Sequence, residues 1–244
     1  MIRKNLSILL LMAICFTSLF SCRKITTSTA DPTRNYFPIT LGKYVVYDVD
    51  SVYYFGLAGT RYEIKSQMKY VITDTVTYNK QLSYLLDVYT RPYDGAANWV
   101  GLSQIIVTPT TTSLLYFQDQ TKYVKMIFPI ANSVTWKGNM YAQVLDSTFS
   151  YLNDWNYTYQ NYHLAYTNGR VTFDNTVTIM EDDQNVNYQN VDSAVAGYRT
   201  YAREVYAYNV GMVYKEWTHY TFGYPDTAQN KTGYSVVMKA VDYN

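Results

Sequence analysis

Cysteine is nearly absent from this chain of 244 residues: only Cys15 and Cys22 occur, and both lie close to the N-terminus. The rest of the sequence therefore has no thiol for a disulfide, a zinc site or a nucleophile. Histidine is equally scarce, with only His163 and His219, and neither belongs to a recognisable catalytic motif or metal-ligand spacing. We therefore predict no enzymatic activity and no cofactor.

An excess of charge of either sign is also missing. The chain has 20 Lys and Arg against 19 Asp and Glu, a formal net charge of +1 at pH 7. Nucleic-acid binding requires a basic field that releases counterions from phosphates. We therefore predict no nucleic-acid partner.

The first residues have the three zones of a secretory signal peptide. A short basic start precedes an apolar run from Leu6 to Phe20, which is shorter than the roughly 20 residues that a membrane-spanning helix requires. The next feature, Leu19-Phe20-Ser21-Cys22, resembles the lipobox of bacterial lipoproteins, whose cysteine receives a diacylglycerol. We predict a signal peptide over residues 1–21 and lipid attachment, including palmitate, at Cys22. A secreted protein without lipid is the alternative.

Residues 22–34 are predicted to be the lipidated cysteine and a flexible tether rich in Thr, Ser and Pro. Its segment Ile25–Arg34 spans at most about 35 Å when fully extended. The domain that follows, residues 35–244, is therefore expected to lie close to a membrane.

Strand-forming residues dominate this domain. Its aromatic residues are mostly tyrosine, 29 in the chain against 9 Phe and 4 Trp, and Tyr, Thr and Val favour strands. Apolar and polar residues alternate, most clearly over Tyr62–Thr73. Roughly a dozen such segments, among them Tyr141–Leu152 and Thr172–Met180, are separated by turns such as Asn168-Gly169. We predict one all-β antiparallel domain, as a barrel or a two-sheet sandwich.

Four aromatic residues are candidates for ligand contacts. Trp155, Tyr157, Tyr159 and Trp217 are predicted to line a groove for a glycan or an apolar ligand. The alternative is that these rings pack in the core and pair across strands, which contributes about 0.2–1 kcal/mol per pair.

A polar segment after the predicted strand Thr172–Met180 is a candidate calcium site. Asp182, Asp183, Asn185 and Asn187 place carboxylate and amide oxygens close together, and Ca²⁺ takes such ligands. The alternative is a solvated hairpin loop.

Four stretches resemble a group of uncharacterised envelope lipoproteins from Bacteroidota-type bacteria. They are NYFPITLGKYVVYDVDSVYY (35–54), FPIANSVTWKGNMY (128–141), REVYAYNVGMVYKE (203–216) and GYSVVMKAVDYN (233–244). The resemblance implies an outer-membrane lipoprotein with an all-β domain and no known activity. Surface-exported lipoproteins of such bacteria tend to carry acidic residues after the anchor cysteine. Arg23-Lys24 departs from that pattern and favours the periplasmic face.

The sequence therefore predicts an envelope lipoprotein whose β domain binds a ligand or has a structural role, without catalysis. Its partners would be the membrane, through the lipid on Cys22, and a glycan or an apolar ligand. The alternative is a glycan-active hydrolase, which would require two carboxyl groups facing each other across a cleft.

Overall fold

The structure is a computed structural model that describes residues 31–56, 59–78, 80–142, 149–186, 196–223 and 230–244. The β domain occupies one folded unit from Asp31 to Asn244. This unit includes residues 31–34, which the sequence assigns to the tether. Within them Thr33 is buried, and its hydroxyl oxygen accepts a hydrogen bond from the backbone N–H of Ile130 at 3.2 Å. The predicted signal peptide and Cys22 lie outside the described residues.

Strands make up nearly all of the described structure. They are β1 (Tyr44–Phe55), β2 (Thr60–Tyr78), β3 (Gln81–Pro92), β4 (Val100–Pro109), β5 (Ser113–Gln118), β6 (Thr121–Ile127), β7 (Thr135–Lys137), β8 (Asn156–Thr167), β9 (Thr172–Val186), β10 (Gly197–Ala207), β11 (Gly211–Phe222) and β12 (Lys231–Tyr243). Short 3-10 helices occur at Pro32–Tyr36 and Ser150–Leu152. No helix in the described ranges is long and apolar enough to cross a membrane.

All twelve strands belong to one sheet, and neighbouring strands are antiparallel. The order is β6-β5-β4-β3-β2-β1-β12-β11-β10-β9-β8-β7, so the first and last strands of the chain lie side by side in its middle. The sheet curls into a nearly closed barrel, and its two edge strands meet. There the N–H of Val124 donates to the carbonyl of Gly138 at 2.8 Å, and Trp136 Nε1 donates to the carbonyl of Val124 at 2.7 Å. The all-β prediction is confirmed, in its barrel form.

Alternation divides each strand between an inner and an outer face. In β1, Val45, Tyr47 and Val49 are buried. The register of β2 places Met68 opposite Tyr47 and Tyr70 opposite Val45, so the predicted apolar face of Tyr62–Thr73 lies on the same inner side. Tyrosine fills much of the interior because a ring packs there while its hydroxyl finds a polar partner.

Two strand predictions require correction. The residues Ser150–Leu152 form a 3-10 helix and not the end of a strand, while residues 143–148 lie outside the described ranges. Strand β9 continues past Met180 to Val186 because it remains paired with β10 as far as Tyr198. Asp182, Asp183 and Asn185, for which a solvated loop is the alternative to a calcium site, therefore belong to the sheet.

The predicted hairpin at Asn168-Gly169 joins β8 to β9. Gly169 adopts a φ of +85°, which glycine tolerates because it has no Cβ. The side chain of Asn168 is buried, and its Nδ2 donates to the carbonyls of Val213 at 3.2 Å and Ala240 at 2.9 Å. The hairpin loop is thus bound to β11 and β12 as well as turning the chain.

Candidate functional site

The barrel has a closed end and an open end. At the closed end, the 3-10 helix Pro32–Tyr36 lies against the turn between β10 and β11, where the N–H of Asn209 donates to the carbonyl of Asn35 at 2.8 Å. The next residue, Phe37, packs edge-on against Tyr116, with ring centroids 5.6 Å apart. The open end lies where β10 and β12 begin and β11 finishes.

Four charged side chains, which we name the charge cluster, meet inside the barrel. Lys125 Nζ of β6 lies 2.6 Å from Glu181 Oε1 and 2.8 Å from Glu204 Oε2. Lys215 Nζ lies 2.9 Å from the other oxygen of Glu204. The hydroxyl of Tyr206 also donates to Glu204, at 2.6 Å. The cluster connects an edge strand with the opposite wall formed by β9, β10 and β11.

Glu204 is the centre of the charge cluster and is 1% exposed. Burial opposes its ionisation, but the charges of Lys125 and Lys215 outweigh burial and lower the pKa of Glu204 to about 2. Burial, followed by repulsion from Glu204, raises the pKa of Glu181. Burial lowers the pKa of Lys215, but attraction to Glu204 and Glu181 is larger in sum and raises it. Glu204 and Lys215 are therefore both ionised at neutral pH.

A β-bulge brings Glu181 into the cluster. In the pairing of β9 with β10, Met180 lies opposite Arg203 and Asp182 lies opposite Ala202, so Glu181 is the additional residue. A bulge of this kind interrupts the strict alternation of side chains. Glu181 and Asp182, although adjacent in sequence, consequently both lie on the inner side of β9.

Two small cavities flank the charge cluster. The cavity on the closed-end side has a volume of about 50 Å³ and is lined in part by Phe37 and Tyr47. The cavity on the other side has about 60 Å³ and is lined in part by Trp155 and Tyr157. Ligand sites usually measure about 300–1,000 Å³, while one water takes about 30 Å³. The cavities have room for a few waters and not for an organic ligand.

Aromatic rings separate the charge cluster from the open end. The ring of Trp217 lies 6.2 Å from that of Trp155 and 6.1 Å from that of Tyr234. Tyr151 stacks on His219 at 3.4 Å with an angle of 5° between the ring planes. The hydroxyl oxygens of Tyr151 and Tyr234 are 2.8 Å apart. These rings form a floor across the barrel.

Above this floor, the open end forms a space of about 740 Å³, which we name the groove. Its volume falls within the usual range of ligand sites. Apart from Gly233, the described residues that line it carry aromatic rings, hydroxyls or amides, and none of them is Asp, Glu, Lys or Arg. They are Phe149, Ser150, Tyr151, Asn153, Gln184, Tyr198, His219, Thr221, Thr232, Gly233 and Tyr234.

The histidine of the groove is uncharged at neutral pH. Burial lowers the pKa of His219 to about 4. Its Nδ1 lies 2.8 Å from the hydroxyl oxygen of Thr200, and its ring stacks on Tyr151. His219 therefore contributes a flat neutral surface to the groove.

Two buried polar atoms below the groove have no hydrogen-bond partner among the described residues: Asp182 Oδ2 and Trp217 Nε1. The register places them on either side of Ala202, in the layer beneath His219. Burial raises the pKa of Asp182 to about 6. Unpaired buried polar groups are rare, and water or a ligand commonly completes their hydrogen bonding.

None of the four aromatic residues predicted from the sequence is among the described residues that line the groove. Trp155, Tyr157 and Tyr159 are buried in the core, and Trp217 is partly buried against it. Tyr159 donates through its hydroxyl to the carbonyl of Ile127 at 2.9 Å. Three of the rings therefore pack as the core alternative describes, and a ligand contact by any of the four stays a prediction.

The residues predicted to bind calcium are not gathered at one point. Asp182 lies opposite the buried Ala202, whereas Asp183 pairs with Arg199 at 2.7 Å. Asn185 also belongs to β9, and Asn187 lies outside the described residues. In the described ranges, no group of three or more His, Cys, Asp or Glu side chains is placed to hold a metal ion. A calcium site here stays a prediction that the geometry does not favour.

Sequence reasoning missed the charge cluster and the residues that line the groove. The sequence feature that could have indicated the cluster is a charged residue at an inward-facing position of an alternating strand. Lys215 occupies such a position between Val213 and Trp217 in β11. No comparable sign marks Tyr151, because its place in the floor depends on a 3-10 helix that the pattern did not predict.

Comparisons with known proteins assign no family to this chain. No protein-family model matches it, and no curated protein matches it. Two similar solved structures are a protein assigned as exported, with a YmcC-like fold, from Bacteroides fragilis and a protein assigned as a lipoprotein from Parabacteroides distasonis. They share 11% and 16% sequence identity with this chain, and each comparison covers 84% of this chain and 98% of the other. Both TM-scores are 0.35, which is too low to assign a function.

Proposed function

We propose that this chain is a lipid-anchored envelope protein whose barrel binds a glycan in the groove without catalysis. The groove is the observation that carries this proposal. It is large enough for a ligand, and its described lining combines aromatic rings with neutral hydrogen-bonding groups.

The chemistry of the groove favours a sugar over other ligands. Sugar rings present C–H faces, which pack on aromatic rings, and hydroxyls, which exchange hydrogen bonds with groups such as those of Thr221 and Gln184. A charged ligand finds no counter-charge among the described lining residues, since His219 is neutral. A purely apolar ligand would remove water from the hydroxyls and amides of the described lining without replacing the hydrogen bonds that water makes, which is costly.

The carboxylates of the barrel favour binding over hydrolysis. A glycosidase requires two carboxyl groups about 5–9.5 Å apart on either side of the scissile bond. Glu181 and Glu204 lie close together, but both are bonded to Lys125 and are reached only by cavities of about 50 and 60 Å³. A sugar ring does not fit there, so the hydrolase alternative has no support from this site.

The proposed lipid anchor is tested at Cys22, the residue that the sequence predicts as its site. A Cys22→Ser protein should still be produced but lose labelling by radioactive palmitate. Retained label would contradict the anchor.

Binding in the groove is tested by adding a charge to its wall. We expect neutral oligosaccharides, titrated by calorimetry, to bind the wild type and to lose at least tenfold in affinity in Thr221→Lys, because Thr221 is an exposed lining residue. Thr75→Lys places the same charge on an exposed residue of β2 near the closed end and should bind like the wild type. Equal binding by both variants would refute the groove as the site.

A further inference from the structure

The register of the sheet continues the floor of the groove into a row of rings across four strands. His219 of β11 lies opposite Tyr234 of β12. Tyr234 lies opposite Tyr53 of β1, and Tyr53 lies opposite Tyr62 of β2. Side chains at paired positions share a face of the sheet. We name His219, Tyr234, Tyr53 and Tyr62 the aromatic row.

The outer half of the aromatic row is an open surface. Strand β3 finishes at Pro92, opposite Ser66 of β2, so residues 60–65 of β2 extend beyond it. Inward-facing residues in this extension are consequently exposed instead of buried, and Tyr62 is 55% exposed. Phe55, at 51% exposure, packs edge-on against Tyr62 with ring centroids 5.8 Å apart.

Charges of the same strands are kept off this surface. Asp50, Glu63 and Lys65 alternate with the residues of the row and therefore lie on the outer face of β1 and β2. There Lys65 Nζ lies 3.9 Å from Asp50 Oδ1. Among the described residues, the inner face of β1 and β2 at this end therefore presents Tyr53, Phe55 and Tyr62 and no charged side chain.

We propose that the aromatic row binds a chain of neutral sugar residues that begins in the groove and extends across β12, β1 and β2. This proposal rests on the proposed function and specifies its ligand as an oligosaccharide. Adjacent strands are about 4.8 Å apart, so four strands give a platform of about 14 Å. A single sugar ring would cover only one interval of this platform.

The position of the row within the sheet disfavours a peptide. An extended peptide binds by adding a strand to a free sheet edge. Strands β12 and β1 are hydrogen-bonded on both sides, β12 to β11 and β1, and β1 to β12 and β2. Only ring faces and hydroxyls are therefore offered to a ligand along most of the row.

The experiment compares short and long neutral sugars on the full chain purified in detergent. The probes are the disaccharide and the hexasaccharide of β-1,4-linked and α-1,4-linked glucose, titrated by calorimetry. We expect one hexasaccharide to bind at least about tenfold more tightly than its disaccharide. In Tyr62→Ala, its affinity should fall by roughly 2- to 10-fold, corresponding to one aromatic contact, while that of the disaccharide should not change.

The matched control is Phe117→Ala, which removes an exposed aromatic side chain from β5 and should leave both affinities unchanged. Thermal melting verifies that each variant is folded. Equal binding of both lengths, or an equal loss for both in Tyr62→Ala, would overturn the aromatic row but not the groove. Failure of the wild type to bind any of the four sugars would overturn both proposals. Binding of phosphatidylcholine vesicles by the unlipidated Cys22→Ser protein, if Tyr62→Ala abolishes it, would instead assign the row to a membrane surface.

Discussion

The charge cluster leads to the sharpest prediction about stability, through the substitution Glu204→Gln. The carboxylate of Glu204 is bonded to Lys125, Lys215 and Tyr206 and is 1% exposed. The amide keeps the size of the side chain but removes its charge, so Lys215 is left without its carboxylate partner at 2.9 Å. Removing one partner of a buried ion pair typically costs about 3–5 kcal/mol.

This loss is a large part of a typical stability of about 5–15 kcal/mol and should be measured by urea unfolding followed through tryptophan fluorescence. The matched control is Asp50→Asn, which makes the same chemical change in the exposed pair with Lys65. It should cost less than about 1 kcal/mol. In the Glu204→Gln background, the second substitution Lys215→Met should cost less stability than Lys215→Met costs in the wild type. Glu204→Gln has already left the charge of Lys215 without its carboxylate partner, so the second substitution breaks no ion pair with residue 204. A cost below about 1 kcal/mol for Glu204→Gln would refute the cluster as a buried ion network.

Three further substitutions test other parts of the barrel. Because burial lowers the folded pKa of His219 to about 4 against 6.5 when unfolded, its protonation in the unfolded state should destabilise the fold as pH falls from about 6.5 to 4. The full shift corresponds to about 3 kcal/mol, but the ring is only partly buried, and solvent screening should reduce the effect to about 1–2 kcal/mol. The raised pKa of Asp182 has the opposite effect on stability over this range. The measurement is therefore the difference in the free energy of unfolding between the wild type and His219→Gln, obtained by urea unfolding at each pH. Identical pH profiles for the two proteins would contradict the prediction. Trp136→Phe removes the hydrogen bond from the indole N–H to the carbonyl of Val124, where the two sheet edges meet. The free energy of unfolding, measured in urea, should fall by about 1–3 kcal/mol. An unchanged unfolding midpoint would count against closure of the barrel by this bond. Gly138→Ala would place a Cβ against the buried ring of Tyr157. We expect the variant to lose about 1–3 kcal/mol of stability and its melting temperature to fall. A melting temperature equal to that of the wild type would show that the ring can move away.

The alternation of apolar and polar residues predicted the positions of the strands better than it predicted which residues form the candidate site. Alternation correctly predicted β1, with Val45 and Tyr47 inside, because a strand has a period of two residues and only one face meets the core. The same pattern underestimated the length of β9. Its polar end, residues 181–186, resembles a loop as long as its pairing with β10 is unknown. The pattern also failed at Ser150–Leu152, where Tyr151 and Leu152 pack, partly buried, against the core from a 3-10 helix.

The sequence by itself determined the fold class, the antiparallel connections and the neutral balance of charge, because all three follow from residue type and spacing along the chain. Only the tertiary structure decided that the sheet closes into a barrel and that Lys125 meets Glu204 within it. It also decided that His219, Tyr53 and Tyr62 share one row. Lys125 is far from Glu204 in sequence, as His219 is from Tyr53 and Tyr62, and a one-residue difference in strand register would separate them. Register depends on bulges and on packing between distant strands, which local periodicity does not encode.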